Sequence, residues 1–168
     1  MRRLISLTAA AALVLVVAVQ PVAARQPGPT IVETAVAVNA SSGEFDHLIE
    51  AVVRADLVDP LNANRQLTVF APTDAAFEEL FATLGVSGVS DIPVATLRAV
   101  LLYHVAPGER FSDDVVASTR IRTLSKGFLV PSVHDGGAYV NDARIVAADI
   151  DASNGVIHVI DTVLLPAA

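Results

Sequence analysis

The ten residues Thr68-Val69-Phe70-Ala71-Pro72-Thr73-Asp74-Ala75-Ala76-Phe77 restrict this chain more than any other stretch, because they ask for a buried strand that turns at once into a helix. Thr68, Val69 and Phe70 favour extended backbone, and Pro72 holds Ala71 away from helical angles, so the strand is expected to end there. Thr73 or Asp74 then caps the first free amides of a helix. Phe77, Leu80, Phe81 and Leu84 follow at the three-and-four spacing of a single apolar face. The unit holds no nucleophile, metal-ligand pair or phosphate loop. It specifies a fold and leaves chemistry open.

The chain starts Met1-Arg2-Arg3, continues through an apolar run from Leu4 to Val19, and reaches Pro21-Val22-Ala23-Ala24. Charged, apolar and small-residue regions in that order make a secretory signal peptide over residues 1–24, with cleavage after Ala24. A membrane anchor is the weaker alternative, since the apolar run falls short of the roughly 20 residues of a spanning helix and Pro21 follows directly. Residues 25–29 read as a linker and residues 30–166 as one domain. The mature chain is expected to be secreted, extracellular or periplasmic, with no stable membrane span.

There is no cysteine, so neither a disulfide nor a thiolate metal site can contribute, and the hydrophobic core must hold the domain. The whole chain has 11 basic and 18 acidic residues. Without the leader, which contains Arg2, Arg3 and no acid, 9 basic residues face 18 acidic ones, a net charge of −9. Such a surface disfavours nucleic-acid phosphates and anionic lipid. Lys126 is the single lysine.

Residues 31–38 are apolar at most positions and fit a short helix or a strand. Asn39-Ala40-Ser41 reads as a polar turn. Ser41 and Glu44 stand at capping-box spacing ahead of Phe45, Leu48, Ile49, Val52 and Val53, a regular helical face that leaves His47 on the solvent side. Pro60 closes this helix. A third helix starts near Pro93 and carries Leu97, Val100, Leu101 and His104 on one face until Pro107-Gly108 stops it. From Arg120 onward come short β-type runs over residues 121–124, 128–133, 138–140, 144–147 and 156–165, separated by turn residues. The last run is apolar on both alternating faces and should be central. Helices first and strands afterwards indicate an α+β domain.

Chemistry-bearing constellations are weak. Asp149-Ile150-Asp151-Ala152-Ser153-Asn154-Gly155 starts like a calcium loop, but its glycine is misplaced and the closing glutamate position holds Ile160. His47, His104, His134 and His158 are not at metal-pair spacing, and no nucleophile elbow or nucleotide fingerprint occurs. No cofactor or metal is expected, and the chain is expected not to be an enzyme.

Three ordered segments nevertheless resemble the fasciclin-like (FAS1) domain: the opening ten residues, Leu101-Leu102-Tyr103-His104-Val105-Ala106-Pro107-Gly108, and Asn154-Gly155-Val156-Ile157-His158-Val159-Ile160-Asp161. The resemblance implies a FAS1-like twisted β-sandwich or wedge with helices packed along one side. It implies structural roles for Thr68, Val69, Phe70, Ala71, Pro72, Thr73, Asp74 and Phe77, and for Asn154, Gly155, Ile157, His158, Ile160 and Asp161. It also implies a non-catalytic interaction module in cell adhesion or cell-surface association, with a protein or cell-surface component as partner. The positions implicated in relatives fall here on Tyr103, His104, Asp149 and Ile150. The apolar face around His104 argues for a buried, hydrogen-bonded ring. Asp149-Ile150 reads as an exposed loop, the better contact candidate. The alternative function is a small-ligand or glycan binder, which needs Phe111, Phe128 or Tyr139 exposed around a cleft; an unrecognised hydrolase using His158 with Asp149 or Asp161 comes third.

Overall fold

The computed structural model describes residues 28–166, so the leader of residues 1–24 and the first part of the linker lie outside the described residues. Helix α1 (Ile31–Ser42) resolves the ambiguity of residues 31–38. Thr30 starts it with a full capping box, its hydroxyl accepting from Glu33 N while Glu33 accepts from Thr30 N. Ser41 therefore belongs to the end of α1, not to the cap of the next helix. Asn39 also lies in α1, where its side-chain Oδ1 accepts from Phe45 N. Pro29 is less of a linker than its composition suggests, since its carbonyl accepts from Ser153 N at 2.8 Å.

Helix α2 (Asp46–Arg54) has no capping side chain of its own. Asp74 caps it from a distance, accepting from Asp46 N at 3.1 Å and His47 N at 2.8 Å. His47 is half-buried rather than solvated, its ring edge-on to Phe81 at 5.2 Å. Val53 faces solvent, 62% exposed, off the predicted apolar face. Pro60 closes nothing: it sits in the first turn of a separate helix α3 (Val58–Asn62), where its missing amide costs no bond.

Strand β1 (Leu67–Pro72) runs into helix α4 (Asp74–Leu84), capped by Thr73, as the sequence requires. Phe77, Leu80 and Phe81 are buried, whereas Leu84 is 51% exposed. After a 3-10 turn (Val89–Asp91), helix α5 (Val94–Tyr103) ends before His104, earlier than Pro107. Residues past it form strand β2 (Val105–Pro107), which pairs antiparallel with β1. A short helix α6 (Ser112–Ala117), absent from the sequence reading, precedes the β-rich half. Strands β3 (Ile121–Arg122) and β4 (Phe128–Leu129) form a hairpin. Strands β5 (Pro131–His134), β6 (Gly137–Val140), β7 (Ala143–Ala152) and β8 (Gly155–Ile160) complete the main sheet.

The six-stranded order is β2-β1-β8-β7-β6-β5, with β1 and β8 parallel and every other pair antiparallel. β8 is central, as its two apolar faces require. Every residue of β1 and β8 is buried, and alternation sends their side chains into two cores. Val69, Ala71, Ile157 and Val159 join a large core built with α1, α2, α4 and α5. Phe70 and Ile160 join a smaller one on the opposite face with Val115 of α6 and Ile121 and Leu129 of the hairpin. The fold is α+β, a mixed sheet with most helices along one face and α6 with the β3–β4 hairpin on the other.

Candidate functional site

Tyr103 ends α5 and is 6% exposed. Its hydroxyl donates to the Phe128 carbonyl at 2.8 Å and accepts from Asn141 Nδ2 at 3.3 Å. The ring lies so close to Gly127 that a Cβ there would stand 2.6 Å from Tyr103 Cε2. Tyr103 thus joins α5, the hairpin and the β6–β7 turn. His104 is buried as its helical face requires: Nδ1 donates to Val100 O at 2.8 Å, and Nε2 accepts from Leu164 N at 2.9 Å. Burial pushes its pKa down to about 4. Both residues are fixtures of the interior.

Asp149 and Ile150 lie inside β7, not in a loop. The ladder with β8 slips twice, between Ile145 and Ala147 and between Ala147 and Ile150. The extra residues bow outward, leaving residues 146–149 exposed, and Asp149 takes φ 60, a left-handed angle that Asp tolerates better than most residues. Ile150 points the other way and packs half-buried on the large core. The Asp149 carboxylate accepts from Ser112 N at 2.7 Å and Ser112 Oγ at 2.6 Å, satisfying a free amide at the start of α6. Asp149 is therefore a cap as well as an exposed residue. The sequence reading missed Ser112 because 37 positions separate the pair.

Asp149 N donates to His158 Nδ1 at 3.3 Å, and His158 Nε2 donates to Arg110 O at 2.9 Å. Burial pushes the His158 pKa below its usual value, against the Arg110 carbonyl and the Asp149 carboxylate, which raise it. The Ser112–Asp149–His158 cluster is not arranged as a hydrolytic triad. The serine hydroxyl is on the carboxylate instead of the imidazole, and both ring nitrogens are taken by backbone. Asp161 does not join His158; it accepts from Arg144 N and Thr162 Oγ1. Tyr103 and Asp149 are held by different elements, so the four candidate positions do not form one site.

Most of the other signature residues are internal, with Thr73 and Asp74 half-buried and Asp161 exposed. Asn154 Oδ1 accepts from Ile31 N, and Nδ2 donates to Leu61 O, which commits the side chain to joining α1 and α3 instead of a calcium loop. Gly155 passes directly beside the Leu67 carbonyl. Among the described residues, no group of three or more His, Cys, Asp or Glu could hold a metal ion. Among the described residues, no helix is long and apolar enough to cross a membrane. Of the aromatics needed for a ligand cleft, Phe128 is 44% exposed and borders a groove with Tyr103, and Phe111 is 41% exposed elsewhere.

The fasciclin domain family model matches residues 43–166. Protein sll1483 of Synechocystis sp. is 43% identical over 144 residues, covering 86% of this chain and 77% of its own. Immunogenic protein MPB70 of Mycobacterium bovis is 32% identical over 117 residues, covering 68% of this chain and 57% of its own. Transforming growth factor-beta-induced protein ig-h3 of Sus scrofa is 36% identical over 124 residues, covering 74% of this chain but 18% of its own. Among solved structures, a FAS1 domain pair from the insect cell adhesion molecule Fasciclin I superposes with a TM-score of 0.67, covering 82% of this chain and 51% of that one. At 18% identity that likeness is one of fold. With the sheet, the internal Tyr103-His104 pair and the Asn154-Gly155 corner all in place, the chain belongs to the fasciclin (FAS1) domain family.

Proposed function

We propose that the chain works outside the cytoplasm as a non-catalytic module of cell-surface association, making protein contacts through the outward bulge of β7. The observation that carries this reading is the combination of exposure and rigidity in residues 146–149. All four are exposed, yet the segment is pinned by Asp149 to Ser112, by Asp149 N to His158, and by Ile150 to the core. A protrusion ordered before it meets a partner loses little conformational entropy on binding. Tyr103 and His104 would have to leave the interior to do the same. The signal-peptide pattern of residues 1–24 and the fold shared with an adhesion molecule support the reading.

The test uses fluorescently labelled residues 25–168 applied to cells of the producing organism, with Ala147→Arg as the comparison. Saturable binding that is lost after protease treatment of the cells, and lost with Ala147→Arg, is the expected result. Full binding by Ala147→Arg overturns the assignment to the bulge.

A further inference from the structure

The negative charge of this chain is unevenly spread. The twenty residues between Asp114 and Asp135 contain no Asp or Glu, yet they hold Arg120, Arg122 and Lys126. The β3–β4 hairpin sorts them spatially. Its paired Ile121 and Leu129 point into the smaller core, while the paired Arg122 and Phe128 point outward. The Arg120 guanidinium lies over the Phe128 ring, 4.6 Å from its centre. Arg120, Arg122, Lys126 and Phe128 are all exposed. The chain's single lysine is thus part of a cationic, aromatic patch on an otherwise acidic molecule.

Lys126 adopts φ 73, a left-handed angle that glycine or asparagine takes at much lower cost. Its turn is tightly fixed. Lys126 N donates to Thr123 O, Thr123 N to Gly127 O, Ser125 N to Leu102 O and Leu124 N to Val105 O. A strained residue held by surrounding bonds is a recurrent mark of functional positions. Beside it opens a groove of about 390 Å³ that Tyr103, Ser125, Lys126, Gly127 and Phe128 help to line. Its lining mixes polar and apolar groups, unlike the purely hydrocarbon crevice between α1, α2 and the sheet.

We propose that this groove binds an anionic polysaccharide, with the acid group of a sugar held by Lys126 and Arg120 and the ring packed against Phe128. The chemistry follows from the parts. Two cations with no acid in their own segment select an anion, and the part of the Phe128 ring that Arg120 leaves exposed offers a sugar an apolar surface. A concave site with a few convergent polar groups suits a small rigid unit such as a sugar ring.

The test is calorimetric titration of residues 25–168 with an oligogalacturonate, a heparin-derived oligosaccharide, a neutral cello-oligosaccharide and a single-stranded oligothymidine. The carboxylated or the sulfated sugar is expected to bind, more weakly as salt is raised, and the neutral sugar and the oligothymidine are not. Binding by only one acidic sugar identifies its source as a uronate or a sulfated glycan. Lys126→Glu and Arg120→Glu should each weaken binding about tenfold or more. Lys126→Gly should also weaken it while raising Tm, because glycine relieves the left-handed strain. Absence of binding by both acidic sugars, equal binding of the oligothymidine, or unchanged affinity in Lys126→Gly overturns the proposal. Low-salt self-association abolished by Lys126→Glu, without sugar binding, also overturns it and makes the partner a second copy. Each outcome is read independently of the cell-binding result with Ala147→Arg.

Discussion

His104 Nε2 accepts the Leu164 amide hydrogen at 2.9 Å, so one buried imidazole ties the segment after β8 to the end of α5. That bond requires the neutral ring. Native His104 has a pKa of about 4 against 6.5 unperturbed, so as pH falls from 6.5 to 4 the unfolded chain takes up a proton that the folded chain refuses. Stability is complete above the unfolded value and is lost over that window, by about 3 kcal/mol. His158, also lowered, adds in the same direction. Urea unfolding across the window should show this loss, and His104→Gln should flatten the slope while lowering stability at pH 7. An unchanged slope in the variant contradicts the assignment.

Asp149→Ala should destabilise the domain by about 1 kcal/mol, the usual cost of removing a helix-capping carboxylate. The sequence reading of Asp149 as a loop residue implies no loss; the bonds to Ser112 N and Oγ imply one. Asp149→Asn, which keeps an acceptor, should recover most of it in the same thermal melt.

Gly155→Ala should be among the most damaging single changes in the chain. Its φ is 153, and an added Cβ would collide with the Leu67 carbonyl of the paired strand and crowd Ile31. Opening the β1–β8 pairing to admit a methyl group should cost about 3 kcal/mol, read from chemical denaturation.

Phe70→Ala should cost about 3 to 5 kcal/mol. Phe70 is fully enclosed, with its ring 5.5 Å from that of His158, and it anchors the smaller core. A melt indistinguishable from wild type would contradict the placement of that core.

How far the sequence discloses this fold depends on distance along the chain. The Thr68 to Phe77 unit, the burial of His104 and the central position of β8 all follow from adjacent residues and from one pattern of spacing. Contacts that join distant segments leave no local trace. Asp74 caps α2 across 28 positions, which is why Ser41 and Glu44 looked like the cap. The bulge of β7 depends on how β8 pairs with it, and so Asp149 read as a loop. Helix α6 is six residues long, too short for a periodic signal, and is capped from β7. The cationic hairpin was legible in principle as an acid-free interval, but its meaning needed the pairing that turns Arg122 and Phe128 outward together.

The central claim is that Tyr103 and His104 build the interior while residues 146–149 meet the partner. It is tested most directly by measuring Tm and cell binding together for Tyr103→Phe and Ala147→Arg. Tyr103→Phe removes the bond to Phe128 O and should lower stability by about 1 kcal/mol while binding, assayed below its Tm, stays normal. Ala147→Arg should keep its Tm and lose binding. A folded Tyr103→Phe protein that fails to bind, beside an Ala147→Arg protein that binds normally, would contradict the account.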